Sequence, residues 1–472
     1  MGKGKKAKDK SKDKVVAAPE PDRNGQSPDG DMEVAAVPDR GADVVAVSGP
    51  GASLASAPHP GDDPGTTPAM DWFIAPEEYA ARVIRVRAEL VQRELDALVL
   101  FHPIRMAYVS GFHHLSTERP MAIVVPLDAG AGLGALVPHL EQEHIAAAHG
   151  VSRVKVYPEY PTGGTKHPML HLADLLAEMG LARRTARIGY DSDGYLDING
   201  YDGPTLSSVV MDGTETVPAR DLIDRMRAVK SAAELRLIRQ SCQWGNLAHR
   251  LMHENLELGR TEMDISLEAS TEASRMMIAT LGPTYRPLSM GWGMPALAMF
   301  HAGANTSLPH GLSNATGLRP GDILVTGAGA DVGGYQSELE RTMVMGEPTP
   351  EFVRHYDLMM LLQQAGFDAL RPGRTLADAE SDVSAAFVEL GVPEMQRHHT
   401  GHGIGLEGHE APFIDKGDPT PIVEGMVLSV EPGLYVPGLG GFRHSDTVVV
   451  TAGGVERLTY YPRDLDAMIV PI

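Results

Sequence analysis

Residues 401–412, Gly-His-Gly-Ile-Gly-Leu-Glu-Gly-His-Glu-Ala-Pro, set two imidazoles, His402 and His409, among closely spaced glycines. Glycine lets backbone approach closely or adopt φ > 0. Imidazole, which titrates near neutrality, can carry a proton or bind a metal ion. A reactive loop would use these residues, and so would a glycine-rich turn whose histidines only accept hydrogen bonds. The elements that position the stretch must decide between the two.

The chain has 472 residues, long enough for two folded domains and an extension. Its formal charge of −21 argues against nucleic acid as a partner, which would call for a basic face. Nothing in it reads as a membrane span, and Cys242 is its single cysteine, so the expected compartment is the reducing cytoplasm. Residues 1–68 open with Lys3, Lys5, Lys6, Lys8, Lys10, Lys12 and Lys14 without the apolar run of a secretory signal. They continue in Pro, Gly, Ala and Asp with almost no aromatics, a composition that cannot offset the entropy of ordering, and are expected to form a disordered tail.

Order is expected from about residue 69. Pro76 leads a helical stripe of Tyr79, Val83, Val86 and Leu90, followed by an apolar strand at Ala97–Phe101. The stretch His102–Phe112 reads as strand then turn. Further strands at 121–125, 134–137, 154–157 and 188–190, with a helix over 167–181, make residues 69–225 a small α/β domain. A second domain, 226–472, begins with the capping-box pattern Ser231-Ala232-Ala233-Glu234 ahead of a long helix whose apolar side includes Cys242, read as a core thiol. Helices at 262–277, 350–370 and 376–390 and strands at 296–301, 323–326, 334–345, 426–430 and 441–450 come in blocks, which indicates α+β architecture for the chain.

Several motifs follow one another in the second domain: Lys230-Ser231 with Glu234, Gly303 to His310, Gly321-Asp322, Gly334-Tyr335 with Arg341-Thr342, the glycine-histidine stretch, Val430-Glu431-Pro432-Gly433, and Gly441-Phe442-Arg443 with Asp446. In this order they resemble the aminopeptidase P, prolidase and creatinase superfamily. The resemblance implies a pita-bread catalytic domain behind a smaller creatinase-type amino-terminal domain, a homodimer, and hydrolase activity on a small-molecule substrate.

Peptidases of that superfamily hold two divalent ions with five side chains. Carried over, those positions are Gly327, Glu338, His402, Glu431 and Ser445. Glycine supplies no ligand and a serine hydroxyl replaces a carboxylate poorly, so no tightly bound metal is expected. The alternative is one ion (Mn, Zn or Fe) on Glu338, His402 and Glu431; Asp331 is wrongly spaced to help. The creatinase branch, by resemblance, places a glutamate before the Arg-Thr pair, here Glu340, and uses the histidine matching His310 as acid/base. The expected function is therefore metal-independent hydrolysis of a C–N bond in a small amide or amidine, with His310, Glu340, Glu431 and His402 catalytic. His409, Arg443 and Arg119, the last from the partner subunit, are expected to bind substrate, while Lys416 reads as a surface lysine. Two alternatives stand beside it: an Xaa-Pro aminopeptidase or dipeptidase with a single ion, in which His301, His310 and His409 bind the scissile carbonyl or product, and a non-catalytic dimeric binding protein.

Overall fold

Pro76 opens the first helix, Pro76–Gln92, with Glu77 and Glu78 in its first turn and Tyr79, Val83, Val86 and Leu90 buried, as the sequence predicts. This computed structural model describes Met1 and residues 71–160, 164–195, 201–288 and 294–472; apart from Met1, the expected tail at 1–68 lies outside the described residues. Strands β1 (Ala97–Leu100), β2 (Ala122–Pro126), β3 (Leu133–Pro138), β4 (Val151–Tyr157), β5 (Arg187–Tyr190) and β6 (Glu215–Pro218) form one sheet in the order β4-β3-β2-β1-β5-β6. All four residues of central β1 are buried, which explains why it reads as an unbroken apolar run.

One local expectation fails. Residues 102–112 are not strand and turn: Pro103–Ser110 is an α-helix, with Pro103 in its first turn and Gly111 at φ 71° closing it. Proline's fixed φ and glycine's access to the left-handed region are the two end signals of a helix, and here they outweigh a short span with little periodicity.

In the second half, Ser231 and Glu234 make the reciprocal capping box of helix Ala232–Glu254, and the helix Glu262–Leu281 follows. The next strands are β7 (Ala296–Ala302), β8 (Ile323–Val332), β9 (Tyr335–Gln336), β10 (Leu339–Met345), β11 (Gly401–Gly403), β12 (Glu410–Ile414), β13 (Val427–Val430), β14 (Gly433–Val436), β15 (Gly440–Arg443) and β16 (Ser445–Thr451). The main sheet runs β12-β11-β13-β16-β10-β8-β7, and β14 pairs with β15 apart from it. The strand expected at 334–345 is thus broken into β9 and β10, and that at 441–450 into β15 and β16. Helices Pro350–Ala369 and Leu376–Glu389 pack in this half, and the helix Arg220–Ala228 runs across the expected domain boundary at 225/226.

A buried polar knot joins the two halves. Arg82, 1% exposed, donates to Tyr108 O at 3.0 Å and to the Tyr335 hydroxyl at 2.9 Å, and its guanidinium lies over the Tyr108 ring. Tyr335 donates in turn to Glu234 at 2.8 Å, and Glu234 lies 3.3 Å from Arg82. The Arg82–Glu234 charge pair is thus bridged by the Tyr335 hydroxyl, which accepts from one and donates to the other.

Candidate active site

Strand register assembles the site. Glu340 on β10 stands opposite Gly327 on β8 and Ser445 on β16, while β13 pairs with β16 and β11 with β13. Side chains alternate along a strand, so Glu338 and Glu340 share one side while Leu339, 1% exposed, turns into the core. Five neighbouring strands and the turn after β13 thereby bring Gly327, Glu338, Glu340, His402, Glu431 and Ser445 into one cluster.

The glycines of the opening stretch act through close approach. A Cβ on Gly401 would lie 2.0 Å from Ser429 O, so only glycine lets β11 pack here and present His402. Gly401, Gly403 and Gly405 are not among the residues with positive φ. His402 is fully buried; its Nδ1 donates to Gly403 O at 3.0 Å, which turns Nε2 toward Glu431 Oε1 at 3.1 Å and Glu338 Oε2 at 3.6 Å. Those contacts are ionic, and Nε2 has no aligned hydrogen-bond partner. The exposed ring of His409 stacks on His402 with centroids 3.6 Å apart.

Charge neutralisation within the cluster is internal. Arg443 meets Glu340 Oε1 at 2.5 Å and the Tyr435 hydroxyl at 3.2 Å, with Glu431 at 3.8 Å. Ser445 and Ser429 both donate to Glu338 Oε1, at 2.5 and 2.7 Å. Burial, partly opposed by Arg443 and reinforced by Glu338 and Glu431, pushes the Glu340 carboxyl up to about 8. Burial pulls on His402 in the other direction, but Glu431 and Glu338 hold it up at about 9. Burial also disfavours the Glu431 anion, yet the contact with His402 and the charge of Arg443 bring it down to about 2.

Behind the cluster, Arg341 and Asp446 form a pair at 2.9 Å with both side chains fully buried. Arg341 also donates to Ser445 O, Tyr461 O and Pro462 O, and Asp446 accepts from Thr459 at 2.7 Å and Gln363 at 3.0 Å. The Arg-Thr pair of the sequence is thus a brace: Thr342 exchanges hydrogen bonds with the backbone of Arg443. Glu410 is likewise structural, held by Arg227 and by Lys230 at 2.8 Å.

Overlapping donors here could hold a divalent ion, while the five-ligand set for two ions is incomplete at Gly327 and Ser445. Glu338, His402 and His409 offer ligand atoms within 4.8 Å of one another, as do Glu338, Glu340 and Glu431, and the buried, unpartnered Nε2 of His402 is the kind of atom an ion satisfies. At Gly327 a Cβ would meet nothing closer than 3.7 Å, so a side chain has room there but none exists, and Ser445 spends its hydroxyl on Glu338. Asp331 does not take their place: its carboxylate accepts from the backbone N–H of Gly334 and Leu288.

The other expected residues are placed less centrally. His310 is exposed and close enough to His409 to affect it electrostatically, and Arg443 reaches Pro309 O beside it at 3.4 Å. His301 is half-buried within range of the Arg443 charge. Arg119 is already engaged by Glu118 at 2.5 Å and Glu159 at 2.7 Å, and Arg443, expected to bind substrate, is committed to Glu340 and Tyr435. Lys416 is exposed. Ser429, Tyr435 and His398, which bonds Tyr435 at 2.9 Å, belong to the site and were not anticipated. Ser429 carries a usable signal, since it lies two residues before Glu431; Tyr435 and His398 are brought in only by tertiary packing.

Comparison with known proteins matches the two-domain architecture. Residues 236–452 match metallopeptidase family M24, and residues 82–229 match the creatinase/prolidase N-terminal domain. The Xaa-Pro dipeptidases of Pyrococcus furiosus and Pyrococcus horikoshii are each 31% identical over 245 residues, which is 52% of this chain and 67% and 66% of theirs. The chain thus spans about two thirds of the length of these relatives, just under it for the second. The crystal structure of dipeptidase PepE from Mycobacterium ulcerans superposes with a TM-score of 0.70 at 27% identity, covering 85% of this chain and all of that one. The fold is a pita-bread domain behind a creatinase-type amino-terminal domain. The chain belongs to metallopeptidase family M24.

Proposed function

We propose that this chain is a dipeptidase of the Xaa-Pro kind that works with one divalent ion held by Glu338, His402 and Glu431. The observation that carries the reading is the convergence of Glu338 and Glu431 on the buried His402 Nε2, at 3.6 and 3.1 Å; the names of the relatives support it. The metal-independent reading drawn from Glu340 gives way, because the relatives by name are peptidases and the donors suit an ion. When bound, the ion supplies Lewis acidity and a more acidic water. The chain's own groups do the rest. Glu340 has one oxygen, buried and unpartnered, left to accept from a substrate N–H. Arg443 fixes the Glu340 carboxylate and screens Glu431. Exposed His409 and His310 flank the approach to the site.

Elemental analysis of purified protein together with hydrolysis of Xaa-Pro dipeptides tests this. The expected result is close to one ion per chain and cleavage that a chelator stops and added metal restores. Two ions per chain would contradict the donor assignment, and full activity after chelation would restore the metal-independent reading. We also propose a homodimer that lends Arg119 to the neighbouring site, for which Glu118 and Glu159 would have to release it. Light scattering should give twice the chain mass; a monomer excludes the shared site.

A further inference from the structure

Beside the carboxylates lies a cavity of about 260 Å³, floored by Glu338 and Glu340 and walled by Leu297, Met299 and Ile404, with Gly327 in its base. At water's share of ~30 Å³ it has room for roughly eight waters, hence for a short aliphatic group and one charged group. No Lys, Arg or His lines it among the described residues. Leu297 and Met299 on β7 are 39% and 51% exposed, so a ligand with an apolar body would bury them further. The second carboxylate oxygen of Glu340, away from Arg443, is buried and has no hydrogen-bond partner. A buried acceptor of this kind calls for a donor, and a cationic donor bonds it most strongly.

The depth of the cavity depends on residue 327. A Cβ there would stand 3.7 to 3.8 Å from Glu340 and Met299, so a larger side chain would grow into the space that now lies between them. By resemblance, relatives carry a metal-binding carboxylate at this position; here it is open.

We propose that Gly327 is a specificity-determining residue: it opens a pocket that takes the first residue of the substrate, with a compact aliphatic side chain against Leu297 and Met299 and a free ammonium group on Glu340. Resting on the dipeptidase reading, the proposal adds that the substrate's own cation fills the space where the strand supplies no ligand. Chains with a blocked amine, or with a bulky or acidic first residue, are excluded by the same walls.

Isothermal titration of the full chain with leucinamide and with 4-methylpentanamide, which lacks only the amine, tests this. Leucinamide should bind at least tenfold more tightly, and Glu340→Gln should shrink that ratio below threefold. Gly327→Val should weaken leucinamide at least tenfold while ion content stays unchanged; should that variant not fold, the Glu340→Gln ratio decides alone. Equal affinity for the two amides, or a ratio that survives Glu340→Gln, overturns the inference even if Xaa-Pro dipeptides are cleaved. An intact amine preference without any dipeptide cleavage overturns the dipeptidase reading and leaves this one standing.

Discussion

Replacing Glu431 by glutamine is expected to lower kcat/KM by at least about 10³-fold, because a metal-bound site supplies several kcal/mol of transition-state stabilisation and each 1.36 kcal/mol is tenfold. Glu431 touches His402 at 3.1 Å and stands 3.8 Å from Arg443, so the neutral amide removes both a ligand charge and the partner that holds His402 in place. The amide is nearly isosteric, so the variant should fold, and its ion content should drop together with its activity. His310→Ala, at the exposed edge, should cost far less. If Glu431→Gln retained both ion and turnover while His310→Ala was dead, the catalytic centre would have to be moved toward the loop that carries His310.

Asp446→Ala should destabilise the fold by about 3 to 5 kcal/mol, the usual cost of leaving one partner of a buried ion pair uncompensated. Here the orphan is Arg341, fully buried and bonded to four carbonyls behind the site. Thr459→Val removes only one neutral donor to the same carboxylate and should cost about 1 kcal/mol. Urea denaturation of the two variants ranks them. A smaller loss for Asp446→Ala than for Thr459→Val would show that the pair contributes little and that the site is braced from elsewhere.

Much of this arrangement is legible in the sequence, and the exceptions have physical reasons. The capping box at Ser231, the helix begun by Pro76 and the apolar run at β1 are local signals, and the structure keeps them. His402 is legible because a close-packed strand demands its glycines in fixed places, whereas Glu431 is reached only through the resemblance of its motif to the superfamily. The helix Pro103–Ser110 was missed although its proline and glycine ends were visible, since eight residues give too little periodicity to weigh against a preceding strand. The breaks at 337–338 and at His444 depend on which strand each segment pairs with, and no residue type announces that. Arg443 is expected to meet substrate, but it is committed to Glu340 by a contact between residues 103 apart in the chain, which no local pattern announces.

The knot of Arg82, Tyr335 and Glu234 has a consequence for how this protein can be taken apart. Severing the chain between its two sheets would leave Arg82, still paired with Glu78 at 3.3 Å, on one fragment and Glu234, buried and without its cationic partner, on the other. Neither fragment should therefore be stable as a free-standing module, although each corresponds to a recognised family segment. Mixed together, the fragments should recombine, since each carries what the other lacks, and scanning calorimetry of the intact chain should show the sheets melting in one heat-absorption peak instead of two.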